Sequence, residues 1–371
     1  MRHNDVEFIG MIQPREQSEI HPARGPAIDP GYLVASARAH EAHRATDGGF
    51  DRVLIGWHSN GPDGLQIAAH AAAHTEQVGF LVAHRPGFQA PTTAARAFAT
   101  LDQLSGGRAA IHVISGGDDA DQARDGDWLG KDDRYARTDE YVDILKRIWA
   151  ADEPVDHHGE YYRIAGASPA VRPTRRIPVY FGGASDAALR VAGRHADVYA
   201  LWGETKAQVA EIVGRVRMEA AKHGRSVRFS LSFRPILGRT EQEAWAKAED
   251  ILARVQQARG VPAIGPSSSA PDAPANAGSQ RLLAAAALGD RPEGRLYTAI
   301  ARATGARGNT TALVGTPQQV AEAFGEYYDL GVTTFLIRGF DPLEDADEYG
   351  RSLLPLTRQL IASRAARSAA A

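Results

Sequence analysis

The stretch Ile177-Pro-Val-Tyr-Phe-Gly-Gly-Ala-Ser-Asp186 sets two glycines and a serine between a β-branched, aromatic run and the helix-forming Ala187-Ala-Leu-Arg-Val-Ala-Gly193. Ser185 before Asp186 is a helix N-cap signature. A strand turning there into a helix start presents backbone N–H groups at the positive end of the helix dipole, which is phosphate-binding chemistry, and Gly182 and Gly183 permit close approach. A Gly-Gly turn with a serine cap also builds ordinary βα units, so the motif alone leaves both readings open. Other apolar runs end in Gln13, Trp57-His58, His84-Arg85, Ser115, Trp202, Arg234 and Arg338. That set is aromatic, basic and poor in acids. It suits a flat ring, a phosphate and a small anion held by arginine forks.

These residues need a frame that gathers strand ends. Short β-rich runs alternate with amphipathic segments along the chain. Strands are expected over 6–12, 52–57, 77–84, 109–114, 177–181, 198–201, 228–236 and 333–337, each followed by at least one helix. Eight such units make a (β/α)8 TIM barrel, whose chemistry collects at the C-terminal strand ends. An open dinucleotide-binding sheet would place GxGxxG after its first strand, and that motif is absent. The barrel is read as a single domain over 1–371. Residues 154–176 form a polar hairpin, and 362–371 a frayed tail. An insertion, about 258–310, lies between strands seven and eight; it opens with a Pro/Ser/Ala/Gly-rich stretch over 258–278, continues as a helical stretch to about 303, and is read as a mobile flap over the site.

Composition removes several classes. The formal charge is −3 with no basic footprint, so nucleic acid and anionic membrane are poor partners. The chain has no cysteine, which excludes disulfides, thiolate metal sites and a cysteine nucleophile. No carboxylate and histidine cluster converges at the strand ends, so no metal is expected. There is no GxSxG elbow for a serine hydrolase. A phosphosugar isomerase or aldolase would want a lysine or carboxylate at a strand end. No apolar run spans a bilayer, and the N-terminus lacks a signal-peptide core, so a cytoplasmic protein is expected.

The surrounding segments carry a family resemblance. Phe80-Leu-Val-Ala-His-Arg-Pro86, Thr100-Leu-Asp-Gln-Leu-Ser-Gly-Gly-Arg108, Val113-Ile-Ser-Gly-Gly117 and Asp133-Arg-Tyr135 with Glu140 occur beside Tyr180-Phe-Gly-Gly-Ala-Ser-Asp186 and Trp202-Gly203. Together they resemble the bacterial luciferase-like flavin monooxygenases, most closely the FMNH2-dependent alkanesulfonate monooxygenases. The resemblance implies a two-component enzyme: an NAD(P)H-dependent flavin reductase supplies reduced FMN, O2 is the co-substrate, and the C–S bond of an organosulfonate is cut to sulfite and a carbonyl product. It also implies a homodimer or homotetramer. Carried over by position, Tyr135, Gly182, Gly183 and Ser185 hold the FMN phosphate, and Ser115 lies beside the ring.

The substrate half departs from that pattern. An Arg-x-His pair is replaced by Ser232-Phe-Arg234, a Tyr-x-His by Phe340-Asp-Pro342, a cysteine by Gly61 and a histidine by Gln13; the flap arginine has Arg307 as its counterpart. Arg234, His58 and Arg307 are the expected catalytic groups, and Arg338, Trp202, Gln13 and His84 are expected to bind substrate. Each of these but Gln13 has a plainer alternative. Arg234 and Arg338 suit ion pairs with a loop carboxylate, Arg307 a solvated loop charge, His58 and His84 satisfied core positions, and Trp202 rim packing. The altered pocket favours a polar or bulkier substrate such as a sulfonated sugar over a simple n-alkanesulfonate. Two rivals remain: a deazaflavin- or NADPH-using oxidoreductase on the same barrel, and a flavin-binding protein without catalysis.

Overall fold

The computed structural model describes residues 6–116, 118–259, 276–306 and 308–370. Twelve strands are present among them: β1 Glu7–Ile12, β2 Arg52–Ile55, β3 Gly79–His84, β4 Ala109–Val113, β5 Val155–His158, β6 Arg163–Ala167, β7 Val179–Gly182, β8 Val198–Trp202, β9 Arg228–Leu237, β10 Leu296–Tyr297, β11 Ala312–Gly315 and β12 Val332–Ile337. The main sheet runs β10-β11-β9-β12-β1-β2-β3-β4-β7-β8, and β8 pairs again with β9. Eight strands with intervening helices therefore close into the expected (β/α)8 barrel. Their burial explains the sequence pattern. Every residue of β3 is buried, as in a strand covered on both faces, which is why it reads as an unbroken apolar run up to its last residue, His84.

The chain divides into two compact units. One takes the described residues of Met1–Asp51, Leu201–Val213 and Arg228–Ala371; the other takes Arg52–Ala200 and Gly214–Val227. In the first, β1 pairs in parallel with β12 from Glu7↔Thr334 to Ile9↔Leu336, and β12 pairs with the first half of β9. The second half of β9 pairs with β11, from Ala312↔Arg234 to Gly315↔Leu237. Beside that junction Ile20, Ile236, Ile251, Tyr297, Val314 and Phe340 share one buried cluster. In the second unit β2-β3-β4-β7-β8 run parallel in register.

Helix starts follow local chemistry. Thr316 and Gln319 form a reciprocal capping box ahead of Pro317 at the start of Pro317–Asp329. Asp63 caps Gly64–Ala72 and Asn276 caps Ala277–Ala287. The hairpin expected over 154–176 is the antiparallel pair β5-β6. The last helix, Leu354–Ala370, continues through most of the segment expected to fray. Of the expected flap, residues 260–275 and Arg307 lie outside the described residues; Ala277–Ala287 and Ala299–Thr304 are helices. No helix among the described residues is long and apolar enough to cross a membrane.

Candidate functional site

In the unit built on β2-β3-β4-β7-β8, the end of β7 turns through Gly183 into the helix Asp186–His195. Gly183 has φ +131°, a conformation side chains rarely adopt. A Cβ there would stand 2.9 Å from the Tyr135 hydroxyl and 2.9 Å from the Ala188 methyl. Gly182 is flanked as closely, its absent Cβ lying 3.0 Å from the Ala200 carbonyl oxygen. Ser185 caps the helix, its Oγ accepting from Ala188 N at 3.3 Å. That leaves the remaining first-turn N–H groups without intrahelical acceptors.

Tyr135 comes from a separate element, the helix Lys131–Ala150, and is 8% exposed. Burial raises its phenol above the ordinary value, opposed by a hydrogen bond with Ser185. The hydroxyl is therefore neutral near pH 7 and able to donate. Tyr199 donates from the other side to the Gly183 carbonyl oxygen, fixing the turn. Three of the residues singled out for phosphate contact, Tyr135, Gly183 and Ser185, thus meet at one point. Ser115, buried, shares a 2.9 Å hydrogen bond with Thr138, one helical turn beyond Tyr135.

His84 is buried, with Nε2 2.7 Å from the Tyr141 hydroxyl and its ring edge-on to Phe98 and Trp57. Burial lowers its pKa to about 4, so its ring is neutral at physiological pH. Its folded value lies below the unfolded one, so the associated stability is complete above about pH 6.5 and is lost as pH falls toward 4. An NMR titration should find this ring unprotonated at pH 5.5; a midpoint above 6 would contradict the burial argument. His58 is exposed. Arg85, beside His84, is buried and paired with Asp121, whose other oxygen accepts from Ser59 at 2.5 Å. Arg85 Nε and Nη1 have no partner among the described residues.

The other unit holds the two arginines. Arg234 is 1% exposed, stacked 3.9 Å over the Phe340 ring, with Nη2 donating to Glu19 Oε2 at 2.8 Å and to the Gly339 carbonyl at 2.7 Å. Arg338 donates to the other Glu19 oxygen at 2.5 Å, and its Nη1 lies 3.5 Å from Met11 Sδ. Burial alone would raise the Glu19 carboxyl, but the two guanidiniums outweigh it and hold the group well below the usual carboxylate range. Burial, together with the neighbouring Arg234 charge, brings Arg338 down to about 10. Tyr32 faces Arg338, and burial with Glu16 raises its phenol to about 12. Gln13 is buried at the end of β1 with Oε1 unpartnered among the described residues. The structure thus places Arg234 in the ion pair that was the plainer of its two readings.

Trp202 packs against the start of Ala277–Ala287, where a Cβ on Gly278 would meet its ring at 3.2 Å. Asn309 was not anticipated. Its amide donates to the Ser232 carbonyl at 2.6 Å and hydroxyl at 2.9 Å, while its oxygen accepts from Gly203 N at 3.1 Å. An isolated loop asparagine carries no signal of that role. Among the described residues no group of His, Asp and Glu is arranged to hold a metal.

A luciferase-like monooxygenase family model matches residues 6–334, nearly the whole barrel. The chain belongs to the luciferase-like monooxygenase family. Solved structures agree on the fold. DmoA from Hyphomicrobium sulfonivorans superposes with TM-score 0.74 at 22% identity, over 95% of this chain and 87% of that one. The EDTA monooxygenase EmoA from Chelativorans sp. BNC1 gives 0.73 at 19%, over 95% and 94%. The riboflavin lyase RcaE, solved with modified FMN and its substrate riboflavin, gives 0.73 at 21%, over 95% and 91%. The Tyr135–Gly183–Ser185 cluster stands just beyond the C-terminal end of β7, the end of the strands at which barrels of this kind carry chemistry.

Proposed function

We propose that this protein is the oxygenase of a two-component, reduced-FMN-dependent system that cleaves the C–S bond of an organosulfonate, alkyl or sugar-borne, releasing sulfite and a carbonyl product. The observation that carries the flavin half is the cradle at Gly183. A positive-φ glycine, a neutral phenol and a capped helix start, brought from two elements, stand together where a single Cβ on Gly183 would meet the phenol. Those groups fit the FMN phosphate: Tyr135 and Ser185 would donate hydroxyl hydrogen bonds to it, and the turn would donate backbone N–H groups. When bound, reduced FMN supplies the two electrons with which one atom of O2 leaves as water and the other becomes the carbonyl oxygen. The C–S electron pair departs with sulfite.

The substrate half rests on the arginines. Arg338 keeps 19% of its side chain exposed and holds its charge up to about pH 10, so it can bind a sulfonate oxygen by a charge-assisted hydrogen bond. Arg234 and Glu19 hold that guanidinium in place. Family membership supports an oxygenase, and one solved structure of the same fold is named as a monooxygenase of EDTA, itself an anion. The test is sulfite release from alkyl, aromatic and sugar sulfonates with FMN, NADH, a generic flavin reductase and air. Sulfite from one class is expected, absent without FMN, and lowered about ten- to a hundredfold in Arg338→Ala, the cost of roughly 1.5–3 kcal/mol for one such bond. Sulfite from no member, with FMN still bound, would overturn the desulfonation reading.

A further inference from the structure

Two residues singled out at strand ends, Trp57 and His84, meet at a place the proposed reaction does not use. His84 ends β3, with its ring edge-on to Phe98 of the helix Pro91–Leu104 and Nε2 2.7 Å from the Tyr141 hydroxyl of Lys131–Ala150. Its side chain therefore lies on the face of β3 that packs on helices, and Val82, two residues earlier, shares that face. Gly64 brings the start of the helix Gly64–Ala72 against the same face: a Cβ there would stand 3.2 Å from Val82 Cγ1 and 3.5 Å from Ile55 Cγ2. Between this helix start, β3 and the segment leading into Pro91–Leu104 lies a cavity of about 220 Å³, lined by Trp57, Leu65, Val82, His84 and Phe88 among others. The Trp57 and Phe88 rings are within 10° of parallel with centroids 6.1 Å apart, and Trp57 meets His84 edge-on at 6.4 Å. In the sheet order β2-β3-β4-β7 the cradle strand is two strands from β3, roughly 10 Å at the usual spacing, so the cavity is separate from the phosphate cradle.

The lining selects a class of ligand. A void of roughly 150 Å³ admits one benzene ring, so this one holds a single ring with a small substituent. No lysine or arginine lines it, and the adjacent helix start is already capped by Asp63, whose Oδ1 accepts from Gln66 N at 2.9 Å. Asp63 also lines the cavity and is exposed, which places it where the cavity meets solvent. An anion entering there would meet a carboxylate and find no counter-charge. His84 is neutral and its Nε2 is occupied by Tyr141. Trp57 Nε1, by contrast, is buried with no acceptor among the described residues. A buried indole N–H in that state gains from any acceptor brought to it.

We propose that this cavity is a binding site for a neutral, single-ring aromatic molecule that carries one hydrogen-bond acceptor, such as an aryl carboxamide or ketone. The ring packs among Phe88, Leu65 and Val82, and the acceptor oxygen takes the Trp57 indole N–H. Such a site stands whether or not the oxygenated substrate is a sulfonate.

The test is a titration of the full-length protein with benzamide, benzoate and toluene, followed by calorimetry and by the indole N–H signals of the isotope-labelled protein. The chain has five tryptophans, and the signal missing from Trp57→Phe identifies the one that matters. Benzamide should move that signal downfield and saturate, with benzoate weaker by about tenfold or more. In Trp57→Phe, which keeps a ring and deletes the donor, benzamide affinity should fall about five- to tenfold while toluene affinity stays level. Leu65→Phe, which fills the cavity from a half-buried position, should weaken both. The benzamide-to-benzoate comparison on the wild type needs no variant and decides the matter if either variant folds poorly. Benzoate binding as tightly as benzamide, no binding of benzamide to the wild type, or unchanged benzamide affinity in a folded Leu65→Phe would overturn the site.

Discussion

Replacing Gly183 with alanine should abolish tight FMN binding while leaving the protein folded. The backbone there stands at φ +131°, where an L side chain is strained by roughly 1–3 kcal/mol. The added methyl would also lie 2.9 Å from both the Tyr135 hydroxyl and the Ala188 methyl, closer than carbon contacts allow. The turn must open or Tyr135 must swing away, and either movement removes donors from the cradle. A loss of about a hundredfold or more in FMN affinity is expected, read by flavin fluorescence titration. Tyr135→Phe, which deletes one donor and keeps the shape, should cost about five- to tenfold, in line with roughly 1 kcal/mol for one hydrogen bond. Wild-type affinity in both variants would move the phosphate site elsewhere.

The largest effect on stability should come from Glu19→Ala. Removing the carboxylate leaves Arg234, 1% exposed, and the half-buried Arg338 facing each other without a counter-charge. Breaking a buried pair from one side costs about 3–5 kcal/mol, a large share of a typical total. A urea titration should show the midpoint fall with little change in slope. Because the folded carboxyl lies below its unfolded value, the wild-type contribution is complete above about pH 4.5 and is lost as pH falls toward the folded value. The acid limb of the stability curve should therefore flatten in Glu19→Ala. Equal midpoints at pH 7 would show that solvent already screens the arginines.

Much of the frame was legible in the residues. The expected runs 6–12, 109–114 and 198–201 became β1, β4 and β8 to within two residues, because apolar β-branched runs bounded by turn residues have few alternatives. The cradle was legible too, since Gly-Gly-Ala-Ser-Asp is a local signal and Ser185 caps as its neighbours dictate. What escaped was non-local. Thr311-Ala-Leu-Val-Gly315 was not read as a strand, and Ala312–Gly315 pairs with a β9 segment about 80 residues earlier. Glu19 lies in a Pro-rich loop, and its importance comes from Arg234, 215 residues away. Sequence pattern foresaw a loop carboxylate as the alternative partner of that arginine but had no means of choosing which one. Asn309 and the Ser59–Asp121–Arg85 chain escaped for the same reason: their partners are adjacent only after folding.

The pairing of β1 with β12 joins Glu7 to Thr334. Ribosomes add roughly 5–20 residues per second, so an apolar strand made at the outset waits on the order of 15 to 65 seconds for its partner to be synthesised. The stretch from Arg52 to Ala200 carries β2, β3, β4 and β7 in one continuous piece and needs no such delay. Translation therefore exposes one sheet edge of this protein far longer than any other, and a nascent chain stalled before residue 332 leaves that edge free to pair with a neighbour.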